Sequence, residues 1–230
     1  MNNFIYNPPK EPFLDILYQD EDIIVVNKPS GLLSVPGRLL EHKDSIISRI
    51  WTLNENAMAV HRLDMDTSGV MVVGLSKIAI SNLGRMFMQK AVDKLYLAVV
   101  EGNIDKQGEI NLPIRCDLDN RPLQIVDFNQ GKPSTTLYKR IDNYSLCNNI
   151  DSDNVSVVEL TPVTGRSHQL RVHLASINHP IIGDRFYADK KIQAKAPRLC
   201  LHAYHLEFNH PVTGDHLVFN TVPDFLKSLG

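Results

Sequence analysis

Two hundred and thirty residues, 43% of them hydrophobic and 22% charged, make an ordinary globular chain, long enough to bury a core without disulfide or metal staples. The net charge of −2 gives no overall basic footprint of the kind dedicated nucleic-acid binders carry, and no apolar run approaches the ~20 residues of a membrane span. Cys116, Cys147 and Cys200 are widely spaced and form no Cys-x-x-Cys pair, which predicts free thiols in a reducing cytoplasm and argues against a zinc site.

In chain order, residues 1–15 read as an extended arm, because Pro8, Pro9 and Pro12 remove backbone donors and bias their neighbours away from helix. The first residues lack the basic head and apolar core of a secretion signal. Residues 16–230 read as one domain. A short apolar strand is expected over 22–27, then a loop to residue 41 with a turn signal at Pro36-Gly37. A helix is expected from Asp44, with Ile46, Ile47 and Ile50 as its apolar stripe. A buried strand follows at 70–75, then an amphipathic helix over 77–91 with Ile80, Leu83 and Phe87 near helical spacing. Further strands are expected at 94–100, 135–141 and 155–161, the last two flanking a polar loop at 143–154. A helix over 167–178 takes Ser167 as its cap. Strands at 199–208 and 216–220 and a last helical turn from Asp224 complete the chain. Strands outnumber helices and do not alternate regularly with them, which favours an α+β fold on a mainly antiparallel sheet.

Charge is spread unevenly. From residue 166 to 205, seven basic residues (Arg166, Arg171, Arg185, Lys190, Lys191, Lys195, Arg198) face two acids (Asp184, Asp189), a local excess of five positive charges. The acids gather elsewhere, as at Asp20, Glu21 and Asp22. One basic face is compatible with RNA, although by composition alone an ordinary solvated surface is the better reading. His168 and His173 lack the spacing of a metal-binding helical pair.

The run from His61 to Gly69, HRLDMDTSG, stands apart. It sets Asp64 two residues after Arg62, in a turn closing on Thr67-Ser68-Gly69 just before the apolar run Val70-Met71-Val72-Val73. A carboxylate beside a guanidinium is favoured in its charged form, and a rigid strand downstream can fix it in place. On spacing alone, an isolated loop Asp is a turn former or a cap. The whole run, however, resembles the hallmark block HRLDxxTSG of the RluA family of pseudouridine synthases. Two further blocks follow in the family's order. Lys94-Leu95-Tyr96-Leu97-Ala98-Val99-Val100-Glu101-Gly102 is similar to its Tyr-bearing strand. The stretch Thr164-Gly165-Arg166-Ser167-His168-Gln169-Leu170-Arg171-Val172-His173, continued by His179 to Asp184, is similar to its Arg-bearing block. The opening run Val26 to Gly37 also fits, and the resemblance extends from about Tyr6 to about Phe225. Asn7-Pro8-Pro9, Ser34 to Arg38 and Asn120-Arg121-Pro122 bring the chain nearest the branch of the family with dual rRNA and tRNA substrates.

The resemblance implies a bent, mixed, mainly antiparallel sheet with flanking helices and a central RNA-binding cleft. Many relatives carry an S4-type domain, for which these 230 residues are expected to have no room, so the catalytic domain is expected to recognise its RNA alone. The implied activity is isomerisation of uridine to pseudouridine in 23S rRNA and in tRNA anticodon stem-loops, after the target base is flipped from its stack. The bond from ribose C1′ to uracil N1 breaks, the base turns, and C5 joins C1′. No electrons change hands overall, so no cofactor is expected. Asp64 is the expected nucleophile. Arg166 should pair with it, and Tyr96 should lie over the uracil as general base or orienting group. Arg62 should contact the RNA, filling the gap left by the base or meeting a phosphate. His61 joins the candidates for RNA contact, though it suits a brace of the loop better than a proton carrier. Lys28, Arg171, Arg185, Lys190, Lys191 and Arg198 are candidates for phosphate contacts. RNA is the only expected partner, with neither DNA nor membrane, and the chain is expected to act as a cytoplasmic monomer. Two rivals come from other classes. An RNA chaperone without catalysis would not need Asp64, Tyr96 and Arg166 together. A nucleoside or glycoside hydrolase would need a second carboxylate, and Asp66, at a variable place in the motif, reads as solvated or capping.

Overall fold

The computed structural model describes residues 5–229, and the first four residues of the expected arm lie outside them. The described residues form two compact units, one of residues 5–93 and 203–221, the other of residues 94–202 and 222–229. The first unit holds β1 (Ile16–Gln19), β2 (Ile23–Lys28), α1 (Ile46–Ile50), β3 (Met58–Ala59), β4 (Ser68–Gly74) and α2 (Lys77–Met88). With β5 (Asp93–Glu101) the chain enters the second unit, which adds β6 (Gln107–Asn111), β7 (Ile114–Cys116), β8 (Gln124–Val126), β9 (Thr135–Ile141), β10 (Tyr144–Leu146), β11 (Val155–Pro162), α3 (Gln169–Ser176) and α4 (Lys190–Gln193). The strand β12 (Leu201–Asn209) begins in the second unit and returns the chain to the first, where β13 (His216–Asn220) follows; β14 (Leu226–Leu229) ends the second unit.

In the first unit the strands run in the order β1, β2, β4, β12, with β13 beside β12 and β3 also on β4. β2 and β4 pair antiparallel, with Val25 opposite Val72. Both are continuous apolar runs, buried from Ile23 to Val26 and from Val70 to Val73, the pattern of strands covered on both faces. α2 supplies one cover: Ala79 and Leu83 pack with Ile23, Val25, Val70, Val72, Leu206 and Phe208. Ser76 caps this helix by accepting from the Ala79 N–H at 3.2 Å. The helix stops three residues before its sequence pattern does. Lys90 adopts φ +59°, and the Ala91 N–H returns to the Met86 carbonyl at 2.9 Å, closing the end.

Gly69 of the HRLDMDTSG run has φ +118°, and a Cβ there would lie 2.2 Å from the Ala203 carbonyl oxygen. The glycine is what lets β4 approach β12 so closely. α1 begins at Ile46, where Ser45 and Ser48 form a reciprocal capping box. Asp44, the expected start, instead receives the Arg49 guanidinium through both oxygens at 2.8 Å. Arg49, 2% exposed, also donates to the carbonyls of Pro9 at 2.6 Å and Phe13 at 2.9 Å. The Pro-rich arm is thereby tied to the unit by its own backbone.

In the second unit β5, β11, β9 and β6 form an antiparallel set, with Leu160 of β11 between Tyr96 of β5 and Tyr138 of β9. The expectation of an α+β fold on mainly antiparallel pairs is met. β6, β7, β8 and α4 go beyond the elements the sequence suggests, and three other segments differ from it. The polar loop at 143–154 contains β10, and the expected last helical turn is instead β14, paired with β10. A four-residue tail has no helical preference strong enough to resist a partner strand. α3 starts at Gln169, not Ser167; its cap position is His168 in the left-handed region at φ +54°, with no side-chain cap.

α3 is buried without interruption from Gln169 to Leu174, the signature of an enclosed helix. Arg171, expected on the phosphate track, is 1% exposed and forms a two-pronged ion pair with Asp184, Nε to Oδ2 at 2.8 Å and Nη2 to Oδ1 at 2.6 Å. Its charge is spent inside the unit, so that reading is corrected. His173 is fully buried between the Thr136 hydroxyl at 2.9 Å and the Leu112 carbonyl at 3.0 Å. Burial lowers its pKa from the ordinary 6.5, outweighing the bond to Leu112. The unfolded chain takes up this proton more readily than the folded one, so the stability that neutral His173 contributes is complete above about pH 6.5 and is lost as pH falls toward the lowered folded value. The unfolding midpoint in urea is expected to fall between pH 7 and pH 5.5 more steeply for the native protein than for His173→Gln.

Candidate active site

Asp64 sits half-buried in the first unit, on the loop between β3 and β4. Its carbonyl accepts from the Thr67 N–H at 3.1 Å, closing the turn. The backbone on both sides of it is gripped by the segment that follows β2. Ser34, 3% exposed, donates to the Leu63 carbonyl at 2.7 Å and accepts the Leu63 N–H at 3.0 Å. The Gly31 N–H and the Lys28 ammonium both reach the Met65 carbonyl, at 2.9 and 3.0 Å. The Ser30 hydroxyl donates to the Asp66 carbonyl at 2.7 Å. Residues 63, 65 and 66 are each tied to one strap, which leaves the Asp64 side chain on a rigid frame.

Lys28 changes role in consequence. It is 0% exposed, and its Nζ donates to the Pro29, Leu32 and Met65 carbonyls at 3.0, 2.6 and 3.0 Å. An ammonium has three protons, and three backbone carbonyls use them. Lys28 is a bracket that joins the strap to the Asp64 loop, not a phosphate ligand. His61 is engaged as well. Its Nε2 accepts the Val72 N–H at 3.1 Å, which places the ring proton on Nδ1, and the ring stacks on Phe87 of α2 with centroids 4.4 Å apart. Arg62, between these braced residues, is exposed.

Tyr96 and Arg166 belong to the second unit. Tyr96 is half-buried on β5 opposite Leu160, and Arg166 is exposed six residues beyond Leu160, after β11 ends. The Arg166 backbone is bracketed by one residue: its N–H donates to the Gln169 side-chain oxygen at 3.0 Å, and its carbonyl accepts the Gln169 N–H at 3.2 Å. Gln169 was not singled out from the sequence, where a glutamine in a helix start carries no sign of burial.

The basic stretch divides once burial is known. Arg185, Lys190 and Lys191 are exposed, with the Arg185 guanidinium over the Phe186 ring at 4.7 Å. Arg198 is held by the Asp224 carboxylate and donates to the Leu199 carbonyl at 2.7 Å, so it too leaves the phosphate track. Lys195, 8% exposed, lies 2.7 Å from Glu101. Burial pushes the Cys200 thiol up to about 12, which makes it an inert packing group. Among the described residues no group of three or more His, Cys, Asp or Glu could hold a metal ion, and no helix is long and apolar enough to cross a membrane.

Residues 22–176 match the RNA pseudouridylate synthase family, so the HRLDMDTSG loop and the Tyr- and Arg-bearing segments all fall inside one family domain. The chain belongs to this family and is an isomerase that converts uridine in RNA to pseudouridine. It is 52% identical over 221 residues to the dual-specificity RNA pseudouridine synthase RluA of Escherichia coli K12, covering 96% of this chain and 98% of that one. The Pasteurella multocida protein of the same description is 47% identical over the same coverage. Among solved structures, human RNA pseudouridylate synthase domain containing 1 matches with a TM-score of 0.75 and 28% identity, over 100% of this chain and 92% of that one.

The bracket role of Lys28 makes a distinctive prediction. Lys28→Met leaves buried carbonyls without a donor and should lower the unfolding free energy by about 1–3 kcal/mol. The loosened Asp64 loop should lower turnover by roughly 10- to 100-fold. RNA affinity should hold. Urea unfolding, single-turnover kinetics and filter binding on the same variant check this; a phosphate ligand would show the reverse, lost affinity at native stability.

Proposed function

We propose that this enzyme forms pseudouridine in two kinds of structured RNA, 23S rRNA and the anticodon stem-loop of tRNA, acting in the cytoplasm as a monomer. The observation that carries the dual specificity is 52% identity, over nearly the whole of both chains, to a relative described as dual-specific. Two such substrates share a loop shape more readily than a sequence, so recognition by shape with limited base reading fits them.

In the proposed reaction the target uridine leaves its stack, and Arg62, exposed on the motif loop, fills the gap or meets a phosphate. Asp64 acts as the nucleophile, with Arg166 pairing its carboxylate through the planar guanidinium fork. Tyr96 lies over the uracil and serves as general base or as the group that orients the base. Once C5 is joined to C1′, the C5 proton is lost and N1 gains one, so the product has the composition of the substrate. The exposed Arg185, Lys190 and Lys191 are the remaining candidates for phosphate contacts, and His61 braces the loop against β4. No electrons are gained or lost, so the chemistry calls for no cofactor.

Uridine tritiated at C5 tests this reading, because joining C5 to ribose C1′ releases the tritium to water. A tRNA anticodon-arm transcript and a 23S rRNA fragment should both release tritium, with no free uracil. Release from one RNA alone would overturn the dual specificity; free uracil would overturn the isomerase in favour of a hydrolase.

A further inference from the structure

The geometry points to Gln169 as a positioning residue for catalysis, its buried side-chain amide fixing the backbone that presents the Arg166 guanidinium. This inference rests on the role of Arg166 in the proposed reaction. The loop that carries Arg166 has little packing of its own. Gly165, Arg166 and Ser167 are all exposed, and a Cβ added at Gly165 would meet nothing within 4 Å. His168 follows in the left-handed region, and α3 begins with no side-chain cap. A loop of this kind holds a precise shape only through hydrogen bonds.

Gln169, 3% exposed, supplies them, and all four bonds open to its amide are made. The side-chain oxygen accepts from the Thr164 hydroxyl at 2.7 Å and from the Arg166 N–H at 3.0 Å. The nitrogen donates to the Thr135 carbonyl at 2.9 Å and the Thr136 hydroxyl at 3.0 Å. A flipped amide would set nitrogen against the Arg166 N–H and oxygen against the Thr135 carbonyl, so only one orientation fits. The Thr164 hydroxyl in turn accepts the Thr135 N–H at 2.9 Å. Through this network the residues on both sides of Arg166 are pinned to β9, a strand inside the unit. The Thr136 hydroxyl accepts from Gln169 and so donates to His173 Nδ1, and His173 Nε2–H ends the chain on the Leu112 carbonyl. Every donor and acceptor along it has a partner, the condition under which a buried polar network gives rigidity. None of these side chains is asked to touch the substrate; they act through Arg166 alone.

Gln169→Met keeps the length of the side chain and removes all four bonds. Its kcat on the anticodon stem-loop should fall by on the order of 10- to 100-fold, as displacement of a catalytic group by about 1 Å does. KM should change by less than about twofold, because the lost interaction is not one of uniform binding. In an Arg166→Ala background the same substitution should cost nothing further, since the residue it positions is gone. A full additional loss in that background, or an unchanged kcat in folded Gln169→Met, would overturn the inference. Should Gln169→Met fail to fold, Thr164→Val, which removes one hydroxyl from the same network, takes its place in the cycle with the same two expectations. Arg166→Ala by itself reports on the reading beneath: native kcat in that single variant would remove Arg166 from the reaction, whatever Gln169 does.

Discussion

The Asp64 loop depends first on a grip of side chains on backbone. The strap from Lys28 to Ser34 holds Leu63, Met65 and Asp66 through the bonds of one ammonium, two hydroxyls and one amide. A carboxylate in the nucleophile's role proposed for Asp64 has to be placed within a fraction of an ångström, and a surface loop left to itself does not achieve that. The buried Lys28 is a costly device, since an ammonium taken from water needs every proton paired. That cost is met here by three carbonyls, which an apolar side chain could not have gathered. Gly69 then allows β4 to lie against β12, so the loop ends on a strand buried along its whole length.

The second unit repeats the logic with different chemistry. Arg166 stands exposed, and the neutral amide of Gln169 fixes its backbone from the buried side. In each unit a polar catalytic candidate, half-buried Asp64 or exposed Arg166, is flanked by a buried residue whose polar atoms are bonded, Lys28 in one and Gln169 in the other. Other charges of the basic stretch are likewise structural: Arg171 with Asp184, and Arg198 with Asp224.

Much of this was legible in the sequence, for reasons that differ by feature. β2 and β4 declared themselves by unbroken apolar runs, and α2 by its spaced Leu83 and Phe87, because hydrophobic periodicity is a direct consequence of burial. The catalytic candidates were legible only through the long motifs that carry them; an isolated Asp64 would have read as a turn former. Charge was the poorest guide. Lys28, Arg171 and Arg198 look from the sequence like Arg185 and Lys190, since a basic residue does not reveal which carboxylate or carbonyl the fold will bring to it. The pairing of β10 with β14 joins segments some eighty residues apart, and three- or four-residue strands carry too little periodicity to announce such a partner. Ser167 looked like a cap, and the left-handed His168 displaced it, with Gln169 taking over the loop's hydrogen bonds.

In the proposed reaction the charge of Asp64 performs the chemistry, and other residues build its frame. Asp64→Asn removes the charge and nearly preserves the size. Turnover and RNA affinity measured on one preparation of that variant, alongside its unfolding midpoint, test the claim most directly. Pseudouridine formation should be abolished on every RNA the native enzyme modifies, with affinity and midpoint near native. Retained turnover in a folded Asp64→Asn protein would contradict it and place the nucleophile elsewhere.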